Sequence, residues 1–122
     1  IVQEGDFTME SGMRACTRLL DAAPRPTAIF AANDEMAIGA MKALAQHGIS
    51  VPKDMAVVGF DNTALARVVT PPLTTVAQPL RALGSTATEM LIRLMTGQGL
   101  RDTEVVLDCQ LVVRSSCGGT GI

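Results

Sequence analysis

The sequence predicts an α/β fold in three layers, with helices on both faces of a parallel sheet. Two short apolar runs, residues 28–32 and 56–60, are each followed by a polar pair. One helical pattern precedes the first run and another separates the two runs. Strands that alternate with helices in this way join into a parallel sheet. Both runs lack the polar alternation of half-exposed strands, which is typical of parallel strands covered on both faces.

The first helix is expected to begin after Thr8, whose hydroxyl can cap it, and to end before the prolines at positions 24 and 26. Apolar and small residues recur within it at helical spacing, namely Met9, Gly12, Met13, Cys16, Leu19 and Leu20. The second helix is expected after the polar pair Asn33 and Asp34. It should end at Gly48, which suits a left-handed C-cap.

After residue 60 the strand–helix alternation stops. Residues 63–78 contain a proline pair and an extended stretch, residues 73–76. Pro79 suits the first position of a third helix, expected to end at Gly97. Its apolar stripe consists of Leu80, Leu83, Ala87, Leu91 and Leu94. Residues 104–113 predict one or two final strands, and residues 115–122, rich in glycine and serine, predict a frayed tail.

The composition argues against a DNA-binding module and against a metal site. The net charge of the 122 residues is −2, and no cluster of Lys or Arg provides the basic stripe that duplex binding requires. Cys16, Cys109 and Cys117 show no metal-ligand spacing, so we expect free, mostly buried thiols in a reducing cytosol. No signal peptide or membrane-length apolar run is visible, and the start at Ile1 rather than Met indicates a fragment.

The catalytic inventory is small. His47 is the sole histidine, and its place near a helix C-terminus favours contact with the last carbonyls over a role as a base. The sequence contains neither a G-x-S-x-G turn nor a glycine-rich phosphate loop. An enzyme is therefore not expected, and neither a metal nor a cofactor is predicted.

Two polar pairs follow the two predicted strands. Asn33-Asp34 and Asp61-Asn62 should lie at one edge of the sheet, because ligands of open α/β sheets bind beyond the carboxyl ends of the strands. Carboxylates and amides there can hydrogen-bond a polyol such as a sugar. Helix capping is the favoured role for Asp34 and ligand binding for Asp61, whereas Asn33 suits either. Phe7 suits stacking on a ligand or packing on its own helix.

Short strings along the chain resemble those of LacI/GalR-type transcription regulators, in order and in spacing. They are residues 4–8 with Ser11-Gly12, residues 26–37 with Gly39-Ala40, residues 48–54, residues 58–62, residues 72–76 with Gln78-Pro79, and residues 111–114. Each string alone is a weak signal, but together they cover nearly the whole chain.

The resemblance implies an incomplete two-subdomain sensor of the type I periplasmic-binding-protein-like fold. Residues 1–73 would belong to its C-terminal subdomain. Residues 74–110 would be a segment of the N-terminal subdomain that includes helix 79–96. Residues 111–122 would hold the return strand to the C-terminal subdomain and the tail. The helix-turn-helix head that binds operator DNA, and an arginine that binds ligand, would lie outside this chain.

By the same resemblance, the small-molecule effector, a sugar or a related compound, would contact Phe7, Asn33, Asp61 and Gln78. The expected function is effector sensing in a cytoplasmic, homodimeric regulator that does not contact membranes. The alternative is a periplasmic sugar-binding protein of an ABC transporter. Taken alone, the chain should bind effector weakly or not at all, because it supplies only one wall of a cleft. It should also self-associate through the apolar stripe of helix 79–96.

Overall fold

In the computed structural model, which describes residues 1–100 and 102–119, the chain forms two compact units. The first consists of Ile1–Ala77 together with the described residues from Leu111 onward, and the second is Gln78–Gln110. The helices and strands of the first unit, up to its end at Ala77, are α1 (Met9–Leu20), β1 (Ala28–Phe30), α2 (Asp34–Gln46), β2 (Ala56–Phe60), α3 (Leu65–Val68) and β3 (Thr74–Ala77). The remaining elements are α4 (Leu80–Met95), β4 (Gln110–Val112) and a 3₁₀ turn (Ser115–Cys117).

The sheet has the strand order β1-β2-β3-β4, and both β1–β2 and β2–β3 are parallel pairs. Ile29 lies opposite Val57, and Phe60 lies opposite Val76. The predicted parallel α/β sheet is therefore confirmed. Because parallel strands end at a common edge, the segments that follow Phe30 and Phe60 leave the sheet on the same side of the unit.

Two glycines allow α1 and α2 to pack backbone against backbone. A Cβ atom on Gly12 would overlap the backbone of Met36, and one on Gly39 would overlap the carbonyl oxygen of Met9. Both contacts lie near the start of a helix, so the loops that precede α1 and α2 are held side by side. This close approach depends on glycine because any larger side chain would force the helices apart.

The core of the first unit lies between this helix pair and one face of the sheet. Its largest fully buried apolar side chains are Leu44, Met55, Val57 and Leu73. The opposite face of β1 carries Phe30, which is 66% exposed, so the helices of this unit cover one face of that strand.

All three cysteines are free thiols, as expected, but their burial differs. Cys16 is buried, and burial raises the pKa of its thiol to about 11, so the thiol stays protonated at neutral pH. Cys117 is half-buried and Cys109 is exposed. The expectation of mostly buried thiols is therefore correct for Cys16 and wrong for Cys109, which lies in an exposed segment just before β4.

The observed end of α2 agrees with the end predicted from the sequence. Gly48 has a φ of +69° and the amide of Ile49 donates to the carbonyl of Leu44 at 2.9 Å, which is the predicted left-handed helix end. The ring Nδ1 of His47 lies 2.8 Å from the carbonyl oxygen of Ala43. The expectation that this histidine contacts the last carbonyls of the helix is confirmed.

The last third of the chain departs from the expectations in two places. Pro79 is the N-cap of α4 rather than its first residue. The prediction of one or two final strands over residues 104–113 is met by one described strand, β4, and the largely exposed residues before it form no ladder. The predicted frayed tail is wrong for residues 115–119, because the fully buried Ser116 hydroxyl accepts from the Thr74 amide at 2.8 Å and donates to the Val57 carbonyl at 2.6 Å. Residues 120–122 lie outside the described residues.

We expect Gly39→Ala to lower the free energy of unfolding by about 1–3 kcal/mol, because the added methyl group overpacks the contact with Met9. The matched control is Gly84→Ala in the exposed helix α4, where no atom lies within 4 Å of the new Cβ. That change should leave stability unchanged or raise it by up to about 1 kcal/mol. Urea denaturation followed by circular dichroism measures both, and equal effects of the two substitutions would contradict the close helix contact.

Candidate functional site

Three of the four predicted ligand residues lie at the carboxyl edge of the sheet. Asn33 follows β1, Asp61 follows β2, and Phe7 lies in the loop before α1. The side-chain Nδ2 of Asn33 donates to the carbonyl oxygen of Phe7 at 2.9 Å. The structure thus brings Asn33 and Phe7 into direct contact and places Asp61 at the same edge.

Asn33 uses both ends of its amide. Its Oδ1 accepts from the backbone amide of Met36 at 2.8 Å, which caps α2, while its Nδ2 holds the Phe7 loop. The expectation that Asp34 caps this helix is therefore wrong. The cap is one residue earlier, because Asn33 has the extended backbone of an N-cap whereas Asp34 is the first helical residue.

Phe7 has an exposed ring on a strained backbone. Its φ is +65° and 63% of its surface is exposed, so the ring is not packed on its own helix as a staple would be. Hydrogen bonds join the two residues that flank Phe7, because Asp6 Oδ1 accepts from the Thr8 amide at 3.1 Å and from the Thr8 hydroxyl at 2.5 Å. Hydrogen bonds from Thr8 and Ser11 lower the pKa of Asp6 to about 2. The Phe7 ring is thus presented to solvent from a fixed turn.

Asp61 and Asn62 also have left-handed backbones, with φ values of +108° and +57°. Within the described part of the chain, these two and Phe7 are the non-glycine residues with positive φ. Three consecutive amides hold the turn: Asp61 donates to the Val76 carbonyl at 2.9 Å, Asn62 to the Thr75 hydroxyl at 3.2 Å, and Thr63 to Asp34 Oδ2 at 2.6 Å. Backbone strain that the surroundings enforce in this way is concentrated at functional sites.

Asp34 is the fully buried acceptor behind this turn. Its Oδ2 also accepts from the Thr63 hydroxyl at 3.0 Å, and its Oδ1 accepts from the Thr75 hydroxyl at 2.5 Å. Gly59 makes room for the carboxylate, since a Cβ atom there would lie 2.5 Å from Oδ1. Sequence reasoning missed this role because an aspartate at the start of a helix looks like a cap.

Arg114 also hydrogen-bonds the turn that contains Asp61 and Asn62. Its Nη2 donates to Asn62 Oδ1 at 2.6 Å, and its Nη1 donates to the carbonyl of Leu73 at 2.6 Å. Hydrogen bonds from a guanidinium are charge-assisted and are stronger than neutral ones. Residues 111–114 are part of the resemblance to LacI-type regulators, but nothing in that string points to Asn62, which lies 52 positions before Arg114.

Gln78 belongs to the second unit. It is half-buried, and its carbonyl accepts from the amide of Leu80 at 2.9 Å, just before α4. Its role in ligand binding stays a prediction.

A groove of about 480 Å³ opens beside β1, between the first residues of the chain and α1. Its walls are mainly apolar and include Ile1, Cys16, Phe30 and Met36. Phe7 lines this groove, but Asn33 and Asp61 do not. An apolar groove suits a polyol poorly, so the groove is not the site that the polar edge indicates.

The edge itself combines a carboxylate, an amide and an exposed aromatic ring. Such a set can donate and accept hydrogen bonds and can stack on the apolar face of a sugar or base. Among residues 1–100 and 102–119, no cluster of three His, Cys, Asp or Glu side chains is placed to hold a metal ion. Within the same ranges, no helix has both the length and the apolar character needed to cross a membrane.

A family model described as a periplasmic binding protein-like domain matches residues 1–117. The chain is 41% identical over 115 residues to the HTH-type transcriptional repressor CytR of Escherichia coli (strain K12), a match that covers 94% of the chain and 34% of the repressor. It is 40% identical over 116 residues to the HTH-type transcriptional regulator CelR of Thermobifida fusca, covering 95% of the chain and 34% of that regulator. The chain thus spans about a third of the length of the curated relatives it matches.

Solved structures agree with these matches. A complex of the transcriptional regulator CelR with cellobiose superposes with a TM-score of 0.87 at 41% identity, covering 92% of the chain and 34% of that protein. The Lac repressor dimer bound to operator and the anti-inducer ONPF superposes with a TM-score of 0.85 at 38% identity. This match covers 93% of the chain and 34% of the repressor chain. The chain therefore has the fold of the corresponding part of these regulators.

Substitutions at Asn33 should separate its two hydrogen bonds. Asn33→Ala removes the cap of α2 and should lower the free energy of unfolding by about 1–2 kcal/mol. Asn33→Asp keeps an acceptor for the Met36 amide but loses the donor to Phe7, so it should retain most of that stability. Chemical denaturation measures the stability that the cap contributes. Amide hydrogen exchange of residues 5–8 reports on the loop that contains Phe7, and it should be faster in both variants. Equal destabilisation by the two substitutions would contradict this division.

Proposed function

Because the chain belongs to the periplasmic binding protein-like domain family, which matches it over residues 1–117, we propose that it is the effector-sensing part of a bacterial LacI-type transcription regulator. The relatives with the matches described above are transcription regulators of this type. Their identity to the chain supports a regulator over the periplasmic transport protein that the fold alone also suits.

The proposed domain organisation assigns residues 1–73 to the C-terminal subdomain of the sensor, residues 74–110 to a segment of the N-terminal subdomain, and residues 111–122 to the return into the C-terminal subdomain. The division of the chain into units supports it, because the first unit ends at Ala77 and resumes at Leu111. A chain that crosses out of one compact unit and returns to it is what a two-subdomain sensor requires.

The proposed ligand is a small-molecule effector, a sugar or a related compound, that Phe7, Asn33 and Asp61 of the first unit contact. One observation carries this proposal: Phe7 and Asp61 both have left-handed backbones that hydrogen bonds hold at the carboxyl edge of one sheet. Such strained and supported positions suit side chains aimed at a ligand. The cellobiose complex of the CelR relative adds support for a sugar.

In the proposed regulator, the effector acts by binding one conformation of the sensor more tightly than another, which biases the protein between states that differ in DNA affinity. Operator DNA would be bound by a helix-turn-helix segment outside these residues, and the net charge of −2 supports that separation. The protein would be a cytoplasmic regulator rather than an enzyme, and the names of its relatives as HTH-type transcriptional regulators support the role of a regulator.

Titration of the isotope-labelled 122-residue chain with cellobiose and, separately, adenosine tests the ligand class. We expect weak binding, with amide chemical-shift changes confined to the surroundings of Phe7, Asn33 and Asp61. Asp61→Asn should weaken it by about tenfold or more, because a hydrogen bond to a charged group is lost. Asp21→Asn, an exposed change at the far end of α1, is the matched control and should have no effect.

Two results would count against the ligand proposal. Chemical-shift changes that lie away from Phe7, Asn33 and Asp61, or that are unchanged in Asp61→Asn, would contradict the proposed ligand site. Micromolar affinity of the isolated chain by calorimetry would contradict the expectation that these residues supply only part of the ligand contacts.

We further propose that the chain self-associates through α4. This helix has no buried residue, and its exposed large apolar side chains are Leu80, Leu83, Leu91, Ile92, Leu94 and Met95. Exposed apolar patches of this kind mark interaction surfaces, and Lac repressor itself was solved as a dimer. Light scattering at high concentration should give a dimeric or larger mass, and Leu91→Glu should lower it. Phe30→Glu, at an apolar residue outside α4 that is at least as exposed as Leu91, should not lower the mass. The reverse pattern would refute the assignment to α4.

A further inference from the structure

The Asp34 carboxylate is buried in the first unit, and none of its hydrogen bonds is made within its own helix. It is fully buried, and its partners in the described part of the chain are the amide and hydroxyl of Thr63 and the hydroxyl of Thr75. No Lys or Arg among those residues forms an ion pair with it. Asn33 supplies the helix cap, and the hydrogen bonds shown for the Asp34 carboxylate are directed at the turn after β2 and at β3.

We propose that Asp34 is a positioning residue for ligand binding: its carboxylate keeps Asp61 and Asn62 in the left-handed backbone conformation that aims Asp61 at the ligand. It does not touch the ligand itself. The inference rests on the proposed function for the role of Asp61, whereas its conformational part stands on the geometry of the turn alone.

Direct contact is the first part of the argument. The amide of Thr63 donates to Asp34 Oδ2 at 2.6 Å and the hydroxyl of the same residue donates at 3.0 Å. These two bonds fix the residue that immediately follows Asn62. A turn with two successive non-glycine residues at positive φ is unfavourable in isolation, so its exit must be held if the conformation is to persist.

The orientation of the Thr75 hydroxyl is the second part. A hydroxyl has one proton to donate, and an ionised carboxylate can only accept. The Thr75 hydroxyl donates its proton to Asp34 Oδ1, so the lone pairs of the Thr75 hydroxyl oxygen are free to accept. One of them accepts from the Asn62 amide at 3.2 Å. Asp34 therefore supports Thr63 directly and Asn62 through Thr75. An asparagine at position 34 can donate to the Thr75 oxygen and would remove this directionality.

The decisive experiment compares Asp34→Asn with the unsubstituted 122-residue chain by NMR. A strong intraresidue amide–Hα nuclear Overhauser effect is the signature of positive φ, and three residues should show it: Phe7, Asp61 and Asn62. In Asp34→Asn we expect the signal to be lost or averaged at Asp61 and Asn62 and kept at Phe7. Amide exchange of Asn62 and Thr63 should accelerate by about tenfold or more.

Ser116→Ala is the matched control. Ser116 is as deeply buried as Asp34, lies in the same unit and bonds Thr74 and Val57, but makes no bond to residues 61–63. It should lower the melting temperature and leave all three signals in place. Retention of the Asp61 and Asn62 signals in Asp34→Asn, or their equal loss in Ser116→Ala, would show that Asp34 is merely structural.

Two further measurements make the outcome unambiguous. If Asp34→Asn does not fold, Thr63→Ala decides, because it removes one of the bonds to Asp34 and keeps the Thr63 amide; unchanged signals and exchange at residues 61–63 would then overturn the proposal. The response to cellobiose and adenosine should vanish in Asp34→Asn and persist in Ser116→Ala. A response of the unsubstituted chain at residues other than Phe7, Asn33 and Asp61 would overturn the proposed function, while the backbone signals still decide the role of Asp34.

Discussion

The buried carboxylate of Asp34 joins three parts of the first unit that are distant in sequence. It starts α2, accepts from Thr63 after β2, and accepts from Thr75 in β3. A buried carboxylate is stable only where donors converge on it, so the chain around it has few alternatives. Gly59 must be small to admit it. The turn after β2, strand β3 and the candidate ligand edge are therefore connected through one buried acid whose hydrogen bonds are satisfied.

The parts of the fold that were predictable are those set by local pattern. Apolar runs of strand length separated by amphipathic helices predict parallel strands, and Gly48 marks a helix end because its left-handed backbone suits glycine. The ordered end of the chain was not predictable in this way. Ser116 is held by Thr74 and Val57, 42 and 59 positions earlier, and its own neighbours are the small, polar residues of an ordinary tail.

The candidate site shows the same limit within a single dipeptide. Asn33 and Asp34 are equally good helix caps by composition, so sequence alone cannot say which of them caps α2. Once the structure assigns the cap to Asn33, the other side chain is left to organise the turn that carries Asp61. The resemblance to LacI-type regulators named Phe7 and Asp61, but their strained backbones and the contribution of Arg114 are visible only in three dimensions.

The Ser116 bridge also has a consequence for the order in which the protein is made. The first unit is discontinuous, and the amide of Thr74 finds its side-chain acceptor in a residue synthesised 42 positions later. When residues 1–77 have left the ribosome, β1, β2 and β3 are present. Ser116, whose buried hydroxyl bonds both β2 and β3, has not yet been synthesised. The first unit therefore cannot complete its buried hydrogen bonds until the whole of the second unit has been synthesised. Contacts of such long range are also slow to form.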